Sequence, residues 1–262
     1  MAHLSISFDH HVATITLDHA PQNRIGDQMV NELAAALESI ASSDARAVLL
    51  CASGSDFSFG GDILPWPNRN RSELRATFEH YMNVFNQFER LPLPVVAAVH
   101  GLCFGGGLEL AVRADVIFAS QSARFGHPEQ TLGIVTLLGG VYRVAERAGR
   151  ARATQWALTS EQVSAEAMER AGVVNKVFAD GDLLTESRGF VDKLAKGPTR
   201  AYAAHKALLR TWANGGISAA DEIMFDVAMP VFDSKDATGG LASAVEAIKA
   251  SRQRPAFPFE GT

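Results

Sequence analysis

The chain has only two cysteines, Cys51 and Cys103, and both lie in apolar stretches without metal-ligand spacing. That excludes a disulfide-stapled framework and a thiolate metal cluster. Each reads instead as a small core residue, in keeping with a reducing cytoplasmic setting. No stretch holds 18 consecutive apolar residues, and Met-Ala-His-Leu-Ser-Ile at the start has neither a charged region nor an apolar segment of leader type. Neither export nor membrane insertion is expected. A long basic run is also missing, and 29 acidic against 24 basic residues leave a net charge of -5, so nucleic acid is not an expected partner.

Several catalytic signatures are absent as well. There is no G-x-S-x-G elbow, no Gly-Lys-Ser/Thr phosphate loop and no H-E-x-x-H pair. Gly105 to Leu110 comes near a dinucleotide fingerprint, but Leu110 stands where the last glycine belongs and the stretch lies deep in the chain. What is present is a globular balance, 47% hydrophobic and 20% charged over 262 residues. That suffices for one large domain, or a main domain with a smaller appendage.

The apolar patterning is strand-rich at first and helical at the end. Leu4 to Phe8 and Val12 to Leu17 alternate across Asp9-His10-His11 and predict a hairpin. Helical spacing follows over Asp27 to Ile40, then a buried strand at Ala47 to Cys51. Ser72 with Arg75 to Phe88 predicts another helix, and Pro94 to Val99 another strand. A helix near Gly106 to Val112 and strands at Asp115 to Ala119 and Asn175 to Ala179 complete an α/β core with parallel pairing. Beyond these the pattern is wholly helical, over 183–194, 199–212, 217–231 and 238–251, with a composition boundary near Gly197-Pro198. Apolar stripes on so few helices need a further surface, which predicts a homo-oligomer.

Three short segments carry chemistry. In His100-Gly-Leu-Cys-Phe-Gly-Gly-Gly-Leu-Glu-Leu110 a strand runs into glycines and then into a lone glutamate, Glu109, in an apolar helix. Backbone N–H groups at such a turn can face a bound carbonyl oxygen, although the same residues also suit a packing turn with a solvated glutamate. The second, Phe57-Ser-Phe-Gly-Gly-Asp-Ile63, lies one strand-helix-strand unit earlier. It reads either as a second N–H source or as a turn with Asp62 capping a short helix. The third, Phe125-Gly-His-Pro-Glu129, places Glu129 either as partner to Glu109 or as a first-turn residue after Pro128. His127 reads as an orienting or packing residue, not a metal ligand.

Together these blocks resemble the enoyl-CoA hydratase/isomerase, or crotonase, superfamily, and the resemblance spans nearly the whole chain. It includes Pro21-Gln-Asn-Arg-Ile-Gly26, F-S-F-G-G-D-I, V-V-A-A-V-H-G-L-C-F-G-G-G-L-E-L, A-D-V-I-F-A, F-G-H-P-E-Q-T-L-G-I, and Gly197-Pro198 ahead of Lys206. The resemblance implies a spiral of β-β-α units over residues 1–196. A helical region at 197–262 would be used in homotrimer or homohexamer assembly. It implies that the N–H groups of Gly61 and Gly106 form an oxyanion hole for a coenzyme A thioester, with Glu109 and Glu129 flanking a water. Arg24, Ile25, Gly60, Asp62 and Ile63 would line the coenzyme A channel with Gly105, and Arg254 to Phe257 resembles a tail that packs near the adenine. Retention of both glutamates favours hydration of a 2-enoyl-CoA, as in fatty acid metabolism, with no metal or redox cofactor. Isomerisation, C–C cleavage or hydrolysis within the superfamily, and non-catalytic acyl-CoA binding, remain as alternatives. Thr136, Leu137 and Leu138 stand where relatives have small residues, as does Phe59, and Trp66 joins the same expected acyl wall.

Overall fold

A computed structural model describes residues 2–262. Strands β1 (Leu4–Asp9) and β2 (Val12–Leu17) form the predicted antiparallel hairpin, turning through His10 and His11 at positive φ. Helix α1 (Asp27–Ala41) buries Met29, Val30, Leu33, Leu37 and Ile40, one stripe at helical spacing. Strand β3 (Ala47–Ala52) then pairs parallel to β2. Helix α2 (Arg71–Glu89) begins at a reciprocal cap, in which Asn70 accepts from the Ser72 and Glu73 N–H groups and Glu73 accepts from Asn70.

From here a unit of long strand, short strand and helical turn recurs. Strand β4 (Val95–Val99) runs into β5 (Leu102–Phe104) and helix α3 (Gly106–Ala111). Strand β6 (Val116–Ser120) runs into β7 (Arg124–Gly126) and a 3-10 turn over Pro128–Leu132. Next come α4 (Gly140–Ala148), α5 (Arg150–Thr159), β8 (Val163–Ser164), α6 (Ala165–Arg170) and β9 (Lys176–Phe178). The long strands make one sheet in the order β1-β2-β3-β4-β6-β9, parallel from β2 onward. The short ones make a second sheet, β5-β7-β8.

This is the predicted α/β spiral. The central strands β3 and β4 are apolar at every position because both faces are covered. Val48, Leu50, Val95, Ala97 and Val99 join the α1–α3 side. Ala47, Leu49, Val96 and Ala98 meet Leu183, Val191 and Ala195 of α7 (Leu183–Ala195) on the other. Periodicity is silent over 120–174, where the structure adds three helices and two very short strands.

The predicted helices at 199–212 and 217–231 are both present, end to end in the segment α8 (Thr199–Phe232), and Gly216, at a non-helical φ 76° and ψ -172°, divides them. None of its residues is buried, and Leu209, Trp212, Ile217 and Phe225 are exposed. Helix α9 (Lys235–Lys249) follows. The Arg46 guanidinium ties this region down, donating to Gly197 O, Thr199 Oγ1 and Phe259 O. The Arg254 to Phe257 tail lies along α9, with the Phe257 ring against Gly239. No helix among the described residues is long and apolar enough to cross a membrane.

Candidate active site

The two glycine loops meet because the short strands bring them together. Ser58 pairs parallel with Cys103, its N–H donating to Leu102 O at 3.0 Å and its carbonyl accepting from Phe104 N at 3.0 Å. Two residues further on, Gly60-Gly61 and Gly105-Gly106 lie side by side. A Cβ on Gly106 would sit 3.5 Å from Gly61 N, and one on Gly60 the same distance from Gly106 N.

The directions of the two N–H groups follow from their partners. On the far side of Gly61, Ile25 donates to Gly60 O at 2.8 Å and accepts from Asp62 N at 2.8 Å. Extended backbone alternates its N–H groups, so that of Gly61 faces away from Ile25, toward the Gly106 loop. Gly106 opens α3, so its N–H has no intrahelical acceptor. Gly105, at φ 47° and ψ -123°, makes the turn in a conformation that L side chains rarely adopt.

Both amide-bearing loops face a cavity of about 260 Å³ whose walls are mostly apolar. Glu109 and Glu129 line it, as do Gly60, Gly61, Gly105 and Gly106. Arg24, Ile25, Phe59, Ile63, Trp66, Leu137 and Leu138 are there too. Two expected residues are not. Asp62 Oδ1 accepts from the Leu64 N–H at 3.3 Å within its own turn, and the short helix that follows, Trp66–Asn68, starts at Pro65 without a side-chain cap, so Asp62 does not cap it. Thr136 lies outside the lining although Val135 before it and both leucines after it belong.

Glu109 is 3% exposed, which rules out the solvated reading. Its Oε1 accepts from Leu138 N at 2.8 Å and Gly140 N at 2.9 Å. Burial pushes its pKa up while these donors and the Arg113 and Arg143 guanidinium groups pull the other way. Glu129 sits in the first turn of the 3-10 segment after Pro128, as one of its two readings has it, and lines the same cavity as Glu109. Its Oε2 is buried without a hydrogen-bond partner, and a Cβ on Gly105 would lie 2.9 Å from its Oε1. Burial, followed by the charge of Glu109, raises its pKa to about 7 against the opposing pull of its own backbone N–H.

His127 packs rather than binding from the cavity wall. It is 2% exposed, and burial holds its pKa down at about 4. Arg24 is half-buried, donates to Gln22 Oε1 and lies 5.3 Å from the Phe59 ring centre. Trp66 presses on Gly61, where a Cβ would come within 3.0 Å of the indole, and meets Phe78 edge-on at 5.1 Å.

Sequence reasoning did not pick out Phe78 and Tyr81, which complete the aromatic wall from α2, or Leu132, Ile134 and Val135 opposite. The first two stand three apart on one helix face, a pattern that marks core and cavity alike. Tyr81 donates to Asp27 Oδ1 at 2.6 Å, and Asp27 also pairs with Arg69, so polar contacts back this wall.

Comparison with known proteins gives a consistent picture. The family model described as enoyl-CoA hydratase/isomerase matches residues 7–253. A Rhizobium meliloti protein named "Probable enoyl-CoA hydratase" is 32% identical over 250 residues, covering 91% of this chain and 93% of its own. The short-chain-enoyl-CoA hydratase of Clostridium acetobutylicum is 30% identical over 208 residues, covering 79% and 80%. The crystal structure of enoyl-CoA hydratase from Bacillus anthracis superposes with a TM-score of 0.89 at 26% identity, covering 99% of this chain and 100% of that one.

Proposed function

Because the chain belongs to the enoyl-CoA hydratase/isomerase family, we propose that its cavity adds water across the double bond of a 2-enoyl-CoA to give a 3-hydroxyacyl-CoA. What carries this reading is the convergence of two carboxylates and two backbone amides on one apolar cavity. Superfamily reactions that shift a double bond through an enolate need one proton shuttle. A second carboxylate facing the same space suits a reaction that must also activate water.

In the proposed step the thioester oxygen accepts from the N–H groups of Gly61 and Gly106. Each N–H is worth ~3 kcal/mol toward the enolate, in a site where water no longer competes. Glu109 is the base. Two N–H donors on Oε1 favour its ionised form, leaving Oε2 to take a proton from water as the oxygen bonds to C3. The C2=C3 electron pair moves onto the thioester oxygen. As the carbonyl re-forms, C2 takes a proton from Glu129, whose unpartnered, buried carboxyl favours the neutral form. Water is added in full, and the proton on Glu109 must then return to Glu129. Because the two carboxyls are coupled, the pair titrates as a unit.

Arg24, beside Phe59 at the cavity edge, is a candidate contact for a coenzyme A phosphate. The residues used for this chemistry are all protein groups, so no added cofactor enters the scheme. The exposed apolar residues of α8 and α9 support a homotrimer or homohexamer, with the division into core and helical region near residue 197. The test is incubation with a panel of 2-enoyl-CoAs, following loss of the conjugated thioester absorbance and a mass gain of one water. Glu109→Gln and Glu129→Gln should each lower turnover by at least ~100-fold. Products isomeric with the substrate would overturn hydration in favour of double-bond migration.

A further inference from the structure

Next to Glu109 lies a partly buried charged cluster, Arg113, Glu89 and Arg143, that no step above uses and whose residues are not among those lining the cavity. Arg113 follows α3 by two residues, and its side chain is fully buried. One arm of its guanidinium, Nη1, donates to Asn86 Oδ1 at 2.7 Å and to Glu89 Oε2 at 3.0 Å, both on α2. The other, Nη2, donates to Leu138 O at 2.7 Å. Glu89 also receives Arg143 of α4, Nε to Oε1 at 2.7 Å and Nη2 to Oε2 at 2.5 Å, while Arg143 Nη1 reaches Gly139 O at 3.3 Å. The carbonyls of Leu138 and Gly139 are therefore gripped, and the N–H groups of Leu138 and Gly140 are the two that hold Glu109.

We propose that Arg113, locked by Glu89 and Arg143, is a positioning residue that sets the orientation of the Leu138–Gly140 segment and through it the carboxylate of Glu109. The assignment rests on the reading of Glu109 as the base. An isolated buried guanidinium is costly, and an ion pair in the same place gives stability only weakly. A planar fork that spans a carboxylate and a backbone carbonyl in fixed geometry can, however, hold a loop that an apolar side chain could not. A lysine has one point charge and cannot make both arms of the contact.

Charge and geometry have separate signatures. The charged or titratable groups around the Glu109 carboxyl are Glu129 and His127 from the 3-10 side, Arg143 and Tyr142 of α4, Glu89 of α2 and Arg113 itself. Replacing Arg113 by Met removes a cation that favours ionised Glu109. Replacing it by Lys keeps the cation and removes the fork.

The test measures kcat, KM and the pH profile for Arg113→Met, Arg113→Lys and Glu89→Gln. It adds a carbon-13 NMR titration of the Glu109 carboxyl, assigned with Glu109→Gln, and binding of a saturated acyl-CoA. Arg113→Lys should lose at least ~10-fold in kcat with KM within about threefold and the Glu109 titration near its wild-type position. In Arg113→Met the Glu109 titration and the acidic limb of the rate profile should both move to higher pH. Glu89→Gln, which keeps both arginines, should lose kcat in the same direction.

Folded Arg113→Lys and Glu89→Gln proteins with wild-type kcat would overturn the proposal. So would an Arg113→Met protein whose Glu109 titration is unmoved. If Arg113→Met fails to fold, the other two variants decide the matter. The NMR titration needs no turnover, so it still judges Arg113 if the wild-type protein hydrates no enoyl-CoA.

Discussion

Gly140→Ala is the sharpest single perturbation of the site, because it acts on Glu109 without touching the amide pair or changing a charge. Gly140 opens α4 and is not among the residues with positive φ, so its backbone accepts alanine. The new methyl would lie 2.7 Å from Glu109 Cγ and 3.0 Å from His127 Cε1. Carbon atoms rest at about 3.5–4.0 Å, so the glutamate must retreat by roughly 1 Å. His127 is only 2% exposed, so it has no open solvent to move into.

The retreat stretches the 2.9 Å bond from Gly140 N to Glu109 and would take the proposed base out of line with its water. Misplacement on this scale costs on the order of 100-fold in rate, and overpacking of a buried site costs ~1–3 kcal/mol in stability. The assay pairs kcat on an enoyl-CoA with urea unfolding and with binding of a saturated acyl-CoA. The expected outcome is a collapse of kcat with saturated-ligand affinity within about threefold of wild type. A folded variant with kcat within threefold of wild type would refute the placement of Glu109 as base.

Two further outcomes follow from the cavity. Glu129, raised from 4.5 to about 7, lends stability that is whole below about pH 4.5 and is lost as the pH rises through 7. The shift sets a ceiling of ~3 kcal/mol, and urea unfolding at about pH 5 and about pH 8 should show a fall that Glu129→Gln abolishes. The rate should decline over the same rise, as the acid is spent. Trp66→Ala clears the ring that presses on Gly61 and should move the acyl preference toward longer or bulkier chains. A change of ~10-fold or more in the long-to-short ratio of kcat/KM is expected, since each accommodated methylene is worth ~1–3 kcal/mol. An unchanged profile across an acyl-CoA series would show that the indole does not bound the acyl site.

The hairpin, α1, β3, α2 and β4 were legible because each carries an unbroken apolar period of strand or helix length. Strands β5, β7 and β8 were not, since two or three residues hold no period, yet the bridge from Cys103 of β5 to Ser58 is what brings Gly61 to Gly106. Block order disclosed the glycine loops and both glutamates. It did not disclose which neighbours face inward. Asp62 turned to its own loop and Thr136 stayed out of the lining, while Phe78 and Tyr81 entered the cavity from a helix whose pattern reads as ordinary core. Arg113 illustrates the limit best. In the sequence it is one arginine at the end of an apolar helix, and only the contact with Leu138 O reveals what it holds.

The grip on the thioester oxygen would be built from main chain, whereas both acids are side chains supplied by separate segments. Exchanging a side chain at Glu109 or Glu129 removes neither the Gly61 nor the Gly106 N–H group. On the proposed reading the scaffold would lose or swap its proton chemistry in single mutational steps while retaining its hold on the activated acyl group. Capture and conversion would then be separately heritable.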